Sequence, residues 1–574
     1  MFSNYLKTAI RNLLKHKGYS FINITGLAVG MACCILIMAL IIDELSFDLF
    51  HENQANIYRV ATVGKIAGRT IEIATVPAPF GPTLVKDYPE VLNAVRFRDY
   101  GRNVFSYGDR KFYEMGLYLT DNSIFDIFSF KLLRGDPATA LKAPYSMVIN
   151  QEIAEKYFDA EDPIGKILKV KNDKEFFITG IIADPPPNSH IQFRMLASFE
   201  TYYAENPDRM VWYNWNYQTY IQLDPNTAYR EFEQKFVDFN ERYIGDFVRS
   251  IGGDISNYLQ PLTSIHLYSN IEGEISPGSD IKYVYAFGTI AIFILFVACI
   301  NFMNLSTARS ARRAREVGLR KVFGAQRKAL IYQFLGESLL LAVISMAFSL
   351  VIVKLASPFF NNLAGREIPL NLFTNPIIIA GLVIIVLFIG LVAGSYPAFF
   401  LSSFKPIRVL KGQLQKGANK SKLRSGLVVF QFAISIMLVI GTSIVLNQLH
   451  YMRSKNPGFD KQQILVLSLN DDSMRQKTAL IKTEMSTIDG VISVAGSMKV
   501  PGEESFNTSV FYPEGFSANQ SVLMENFNID LNFLETYNIA LINGRNFSNE
   551  FTTDEDAAIL INEMAAKALE WENP

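Results

Sequence analysis

The sequence predicts an α-helical membrane protein that also carries large water-facing domains of α+β structure. Three observations lead to this class. Five apolar runs are each long enough to cross a bilayer, which takes about 20 helical residues. The mean hydropathy of +0.15, with 49% hydrophobic and 19% charged residues, exceeds what a soluble chain needs. The chain of 574 residues also leaves long stretches outside these runs, enough for separate domains.

Charge in the connecting loops predicts the orientation of the spans. Short loops rich in Lys and Arg mark the cytoplasmic side of a membrane protein. The amino terminus and two of the loops are basic, which places them inside. The predicted order is a cytoplasmic interfacial helix (1–18), spans at 19–42, 284–304, 333–356, 376–400 and 426–447, inner loops at 305–332 and 401–425, and outer segments at 43–283, 357–375 and 448–574.

The amino-terminal segment predicts an amphipathic helix on the inner surface of the membrane. Apolar residues recur at helical spacing from Phe2 to Leu14, with Lys7, Arg11 and Lys15 opposite them. Such a helix places its apolar face in lipid and its cations at anionic headgroups, so membrane lipids are expected partners. The next apolar run lacks a small-x-small cleavage site, and we interpret it as an uncleaved span.

The outer segment 43–283 predicts a domain of mixed α+β structure. Residues 176–182 (FFITGII) are typical of a strand and residues 151–158 of a helix. Three successive prolines at 185–187 end the strand, because proline cannot continue a ladder. All three cysteines lie in apolar runs, so the outer domains must fold without disulfides.

An internal repeat links the two large outer segments. DNSIFDIFSFKLLRG (121–135) and VINQEIAEKYFDAEDP (148–163) recur as DLNFLETYNIALINGRNF (530–547) and LINEMAAKALEWENP (560–574). The matched pairs are Asp121/Asp530, Phe125/Leu534, Gly135/Gly544, Ile149/Ile561 and Asn150/Asn562. The second outer domain is therefore an incomplete repeat of the first. We predict that the sequence is a fragment of a protein with eight spans in two four-span halves.

No motif for catalysis, nucleotide binding or metal binding occurs in the sequence. It contains no GxxxxGK[ST], HExxH, GxSxG or CxxC, so we expect neither catalytic nor metal-binding residues. The five histidines are scattered, and residues such as His51 and His190 are interpreted as structural hydrogen bonders. The spans carry almost no ionisable residues, which argues against an ion-coupled carrier. Energy for any work must therefore come from another protein.

The loop 305–332 predicts a short, capped helix that faces the cytoplasm. Eight cations between Arg309 and Lys328 accompany the single acid Glu316, which can pair with Arg312, Arg313 or Arg320 at helical spacing. Leu319, Val322 and Phe323 form a small apolar face. Arg320 and Lys321 precede Gly324, as expected of a helix carboxyl end. This pattern favours docking on a partner; the alternative, a basic topology anchor, explains the charge but not the cap.

Gly26 and Gly30 have the GxxxG spacing that allows close helix packing in a membrane. The alternative is that these glycines are simply tolerated in the first span.

Several segments resemble one family of transporters. AREVGLRKVFGAQRKALIYQFLGES (314–338) resembles the loop after the second span in ABC-transporter permeases of the FtsX/MacB class. IRNLLKHKGYSFINITGLAVGMA (10–32), the FDxFHENxxxIYRV stretch (47–60) and DPPPNSH (184–190) are similar to the large permeases of that class with two periplasmic domains, common in Bacteroidota.

The resemblance implies MacB-type periplasmic core domains and a loop helix that couples to a separate cytoplasmic ABC ATPase. ATP and Mg²⁺ would be used by that partner, and no cofactor by this chain. The coupling residues carried over from the family are Glu316, Gly318, Arg320, Lys321, Gly324 and Ala325, to which the apolar face adds Leu319 and Phe323.

We therefore expect a non-catalytic permease subunit in the bacterial inner membrane, with its amino terminus in the cytoplasm. Its work would be export of peptides or drugs, or extraction of lipid-linked cargo. A periplasmic adaptor and an outer-membrane protein are further expected partners, and nucleic acid is not. The alternative is a membrane-anchored periplasmic sensor or scaffold, although the inner loops are too short for a signalling domain.

Overall fold

The computed structural model forms two compact units. One consists of residues 1–46 and 280–455, and the other of residues 47–279 and 456–574. The structure describes the chain except residues 1–10, 12–14, 16, 67–68, 172, 206–210, 309–316, 371–373, 403–418, 470–471, 503–507, 512, 514–521 and 572–574. The predicted interfacial helix and much of both basic inner loops thus lie outside the described residues.

The described helices and strands are numbered here in chain order. They are α1 (Lys17–Leu45), β1 (Ile57–Ile66), β2 (Arg69–Ile73), α2 (Phe80–Asp87), β3 (Val91–Asp99), β4 (Asn103–Tyr107), β5 (Arg110–Glu114), β6 (Leu117–Thr120), α3 (Ile124–Ile127), β7 (Leu132–Arg134), β8 (Ser146–Asn150), α4 (Gln151–Phe158), β9 (Ile167–Val170), β10 (Lys174–Ile182), β11 (Met195–Ser198), α5 (Glu200–Glu205), β12 (Gln218–Leu223), α6 (Tyr229–Glu233), α7 (Phe236–Ser250), β13 (Asp254–Pro261), α8 (Ile265–Tyr268), α9 (Ile281–Ala308), α10 (Arg327–Ala364), α11 (Pro376–Ser402), α12 (Asn419–Ser454), α13 (Asp472–Arg475), α14 (Thr478–Ser486), β14 (Thr508–Phe511), β15 (Val522–Glu525), α15 (Phe533–Thr536), α16 (Asp554–Ala557) and α17 (Glu563–Ala568).

Five of these helices, α1, α9, α10, α11 and α12, have the length and apolar composition needed to cross a membrane. Helix α1 packs against α9 and α10, and α10 packs against α11. Each helix extends beyond its predicted span; α10, for example, runs over 327–364 rather than 333–356. Backbone hydrogen bonding continues past the hydrocarbon layer, whereas hydropathy reports only the apolar part. The orientation of the helices in the membrane stays a prediction.

The outer segment between α1 and α9 folds around one mixed sheet. Its strand order is β13-β1-β12-β3-β6-β11-β8-β10-β9-β4-β5, with β2 paired to β1 and β7 to β10. Most pairs are antiparallel, but β8 and β10 are parallel, as are β6 and β11. Helices α2, α6 and α7 share a core with β1, β3, β12 and β13, and α4 packs on the other end of the sheet. The predicted α+β class is therefore confirmed.

The second outer region repeats the local geometry of the first. Asn150 and Asn562 each cap a helix by accepting the backbone N–H of the residue three places on, at 2.9 and 2.8 Å. Gly135 and Gly544 both have positive φ, +106° and +79°. Asp530 accepts the backbone N–H of Gly496 at 2.6 Å, as Asp121 accepts that of Arg96 at 2.9 Å. These local features agree at the matched positions, and the repeat of the whole domain stays a prediction.

Candidate functional site

Within the described part of the predicted coupling loop lies a short capped helix, residues 317–325, which we call the cap segment. Residues 317–322 are helical, and Gly324 then adopts φ +90°. The N–H of Ala325 donates to the carbonyl of Arg320 at 3.0 Å, and the N–H of Gly324 donates to that of Lys321 at 3.1 Å. These two bonds are a Schellman motif, which requires a left-handed residue at the position of Gly324. The cap has the form expected from the sequence.

One side of the cap segment is fixed to the membrane helices. Val317 is 2% exposed and packs with Leu330 and Phe334 of α10 and with Ala398 of α11. Gly318, beside it, is also buried. This side therefore serves as an anchor, not as a surface for a partner.

Two cations strengthen the anchor. Arg320 donates to Oε1 of Gln333 in α10 at 2.8 Å, and Nζ of Lys321 donates to the carbonyl of Ser402, the last residue of α11, at 2.6 Å. Partial burial, with a smaller contribution from the Arg327 cation, lowers the pKa of Lys321. The cap segment is thereby linked to the ends of two spans at once.

The opposite side of the cap segment is apolar and exposed. Leu319, Val322 and Phe323 are 50%, 59% and 87% exposed. Large apolar side chains grouped on a surface mark interaction sites more often than chance exposure does. Each also lies on or beside a turn that contacts anchor to α10 and α11, so little conformational freedom would be lost on binding. Glu316 lies outside the described residues, so its predicted ion pair stays a prediction.

The predicted packing glycines lie where two helices come close together. A Cβ on Gly30 would lie 2.7 Å from Cβ of Ala298 in α9, and one on Gly26 would lie 3.4 Å from Nδ2 of Asn301. Only glycine allows the first of these approaches without displacing a helix. Gly390 and Gly394 in α11 approach α10 in the same way.

The outer domain contains a buried polar network that was not predicted from the sequence. It lies next to Phe47, where the chain enters this domain. Asp48, with φ +60°, accepts hydrogen bonds from the backbone N–H of His190 at 3.1 Å and from Oγ of Ser189 at 3.2 Å. Its other oxygen lies 2.8 Å from Nδ1 of His190, whose Nε2 lies 2.7 Å from the hydroxyl of Tyr220. We call Asp48, Ser189, His190 and Tyr220 the Asp48 network; all four are buried.

Neighbouring contacts link this network to the segment where the chain leaves the domain. Oγ of Ser276 donates to the carbonyl of His190 at 2.7 Å. Fully buried Arg59 donates to Oε1 of Glu274 at 2.9 Å. The rings of Phe47 and His266 stack with centroids 3.4 Å apart. The incoming and outgoing segments of the outer domain are therefore held together by buried polar and aromatic contacts.

Electrostatics in this region are set by burial and by the histidines. Burial alone would raise the pKa of Asp48, but the charge and hydrogen bonds of His190 outweigh it and lower that pKa. Burial lowers the pKa of His51 to about 4, and its Nδ1 accepts the backbone N–H of Ser129 at 3.0 Å. Both His51 and His190 are structural hydrogen bonders, as interpreted from the sequence. Their shared neighbour Asp48 was not foreseen. Asp48 and His51 nevertheless lie in the segment 47–60 and His190 in the segment 184–190, two of the segments that carried the family resemblance.

Two family models match the chain. One, described as a MacB-like periplasmic core domain, matches residues 20–239, and another, described as an FtsX-like permease C-terminal domain, matches residues 288–406.

Curated relatives agree with these matches. The macrolide export ATP-binding/permease protein MacB of Syntrophobacter fumaroxidans is 22% identical over 463 residues, covering 71% of this chain and 64% of that protein. The ABC transporter permease YvrN of Bacillus subtilis is 21% identical over 433 residues, covering 71% of this chain and 99% of that protein. This chain thus spans just under two thirds of the length of the first relative. The crystal structure of the periplasmic region of MacB from Actinobacillus actinomycetemcomitans is 13% identical with a TM-score of 0.28, covering 37% of this chain and 91% of that one.

Proposed function

Because the chain belongs to the FtsX/MacB class of ABC-transporter permeases, we propose that it is the membrane subunit through which a separate cytoplasmic ATPase drives conformational work in the outer domains. It is a multi-pass protein of the inner membrane, and we place its amino terminus in the cytoplasm. ATP and Mg²⁺ would bind to the partner, and this chain would receive the movement.

The cap segment is the observation that carries the proposal. Leu319, Val322 and Phe323 present apolar surface on one side, while Val317 and two cations fix the other side to α10 and α11. A force applied to the exposed side would therefore be transmitted to two spans. A simple topology anchor needs only positive charge. It needs neither a capped turn nor exposed apolar side chains, so the arrangement favours docking.

The cargo proposed from the sequence remains export of peptides or drugs, or extraction of lipid-linked molecules. Several relatives are named as macrolide export proteins, which supports drug export as one form of this work. A periplasmic adaptor and an outer-membrane protein would complete such a machine.

Co-purification from native membranes tests the proposal. The full-length protein is isolated in mild detergent, and mass spectrometry identifies the proteins that accompany it. We expect a P-loop ATPase in the wild-type sample. Leu319→Asp combined with Phe323→Asp should reduce its amount at least about 30-fold, since central interface residues contribute about 2 kcal/mol or more each.

The matched control is Tyr332→Ala, which removes an aromatic ring that is 71% exposed from α10, outside the cap segment. This variant should retain the ATPase. Retention by the double variant, with the protein folded, would contradict the docking role. Absence of any ATPase from the wild-type sample would favour the sensor or scaffold.

A further inference from the structure

Three charged side chains meet at the other end of the membrane helices. Nη2 of Arg366 lies 3.1 Å from Oδ2 of Asp43 and also donates to Oε1 of Glu44. The two acids are near the end of α1, and Arg366 follows the end of α10. The side chains of Arg366, Asp43 and Glu44 are 24%, 8% and 14% exposed. We call these three residues the Arg366 latch.

The backbone fixes the position of Arg366. Helix α10 ends at Ala364, and the next residue, Gly365, has φ +69°. The N–H of Arg366 donates to the carbonyl of Asn361 at 3.2 Å and that of Gly365 to Asn362 at 3.4 Å, the same capping motif as in the cap segment. Ile368, two residues on, is buried. The guanidinium is therefore presented to α1 by a defined turn.

Hydrogen bonds at the end of α1 likewise fix the backbone beside the two acids. The carbonyl of Asp43 accepts both the N–H and the Oγ of Ser46, at 3.0 and 2.8 Å, where α1 gives way to a turn. The chain enters the outer domain immediately afterwards, at Phe47. A displacement of the end of α1 would therefore reach the outer domain through only a few residues.

We propose that Arg366, Asp43 and Glu44 are positioning residues that hold the outer end of α1 against the α10–α11 hairpin and release it during the transport cycle. The inference rests on the proposed function, because ATP-driven movement supplies the release. Withdrawing the guanidinium leaves the carboxylates of Asp43 and Glu44 without this cation, which costs free energy that the ATP-driven movement would supply. Arg366 is also partly hydrated, and pairs that water reaches break more readily than fully buried ones. The Asp48 network, being fully buried, lacks this property.

Cross-linking in membranes tests the release. Leu45→Cys and Glu367→Cys, at exposed neighbours that leave Arg366, Asp43 and Glu44 in place, are introduced after the native Cys33, Cys34 and Cys299 are replaced by Ala, and a short bis-methanethiosulfonate reagent is applied. We expect cross-linking without nucleotide. The yield should fall at least about fivefold with ATP and vanadate, the lower end of coupling for a two-state element. ATP hydrolysis is measured in the same sample.

Charge-exchange variants provide a second measurement. Its result would not change if Arg366 and Glu44 had a purely structural role. Arg366→Glu should impair ATP-coupled activity, Arg366→Lys should retain most of it, and Arg366→Glu with Glu44→Arg should restore it. Glu367→Arg, a charge change at the exposed neighbour in the same loop, is the matched control and should have no effect.

The outcomes separate the two proposals. A cross-link that forms equally in all nucleotide states, in a sample that hydrolyses ATP, would overturn the latch and leave the proposed function standing. The absence of a cross-link without nucleotide, or failure of the charge exchange to restore activity, would also overturn it. A sample that hydrolyses no ATP and contains no ATPase would refute the proposed function and the latch with it.

Discussion

The cap segment and the Asp48 network depart from ordinary residue placement in opposite ways. The cap segment leaves Leu319, Val322 and Phe323 exposed, whereas the network buries Asp48 and His190. Large apolar residues are usually buried, and charged residues are rarely buried unless paired. This difference determines which property, binding or folding, should be measured for each feature. Removing an exposed apolar group affects binding, whereas removing half of a buried polar pair affects folding.

The largest expected effect is on the Asp48 network. His190→Ala should lower the free energy of unfolding of the outer domain by about 3–5 kcal/mol, because Asp48 would remain buried without its main partner. Thermal or denaturant unfolding of the full chain checks it, with His450→Ala at an exposed position as the control. Equal stability of the two variants would show that the network contributes little.

The next largest expected effect is a dependence of the free energy of unfolding on pH. Because the pKa of His51 is lowered to about 4 in the folded protein, the unfolded chain binds one more proton between that pH and about 6.5. The contribution of His51 to the free energy of unfolding is therefore fully present above about pH 6.5. It is lost as the pH falls towards 4, which lowers the free energy of unfolding by up to about 3 kcal/mol. Because the pKa of Asp48 is also lowered, its contribution is lost only at still lower pH.

Unfolding measured from pH 7 to pH 4.5 checks this effect. His51→Gln keeps an acceptor for the N–H of Ser129 but cannot titrate, so it should flatten the curve, while His450→Gln should not. A wild-type curve that is already flat over this range would contradict the prediction.

A smaller and local effect is expected at the cap. Gly324→Ala should lower the free energy of unfolding of the cap segment by about 1–2 kcal/mol, because a residue with a Cβ is strained at φ +90°. Steric contact adds nothing, since no atom lies within 4 Å of that Cβ position. Gly336→Ala is the matched control, since Gly336 lies in helix α10, also with no atom within 4 Å of a Cβ. Hydrogen exchange of residues 317–325 should accelerate roughly tenfold in the first variant and not in the second. Unchanged exchange in both would mean that the turn is not held by its cap.

The features foreseen from sequence are those that neighbouring residues determine. Helix α4 runs over 151–158 as expected, because Asn150 caps it and its apolar residues repeat at helical spacing. The strand expected at 176–182 lies within β10. The cap at Gly324 was foreseen for the same reason, since a Schellman motif is set by a few adjacent residues.

The features not foreseen depend on residues far apart in the chain. His190 and Asp48 are 142 positions apart, and Arg366 and Glu44 are 322 positions apart. Each residue alone is an ordinary polar group, and only the fold brings the partners together. The anchoring of the cap segment by Gln333 and Ser402 was missed for the same reason. The fragment prediction and the Glu316 ion pair stay predictions.

The most direct test of the central claim compares ATPase retention with stability in Phe323→Ala. The ring is 87% exposed, so we predict a free energy of unfolding within about 0.5 kcal/mol of wild type. We also predict a clear loss of the co-purifying ATPase from native membranes. Full retention of the ATPase by this stable variant would contradict the account, because the cap segment would then not be the surface on which the partner docks.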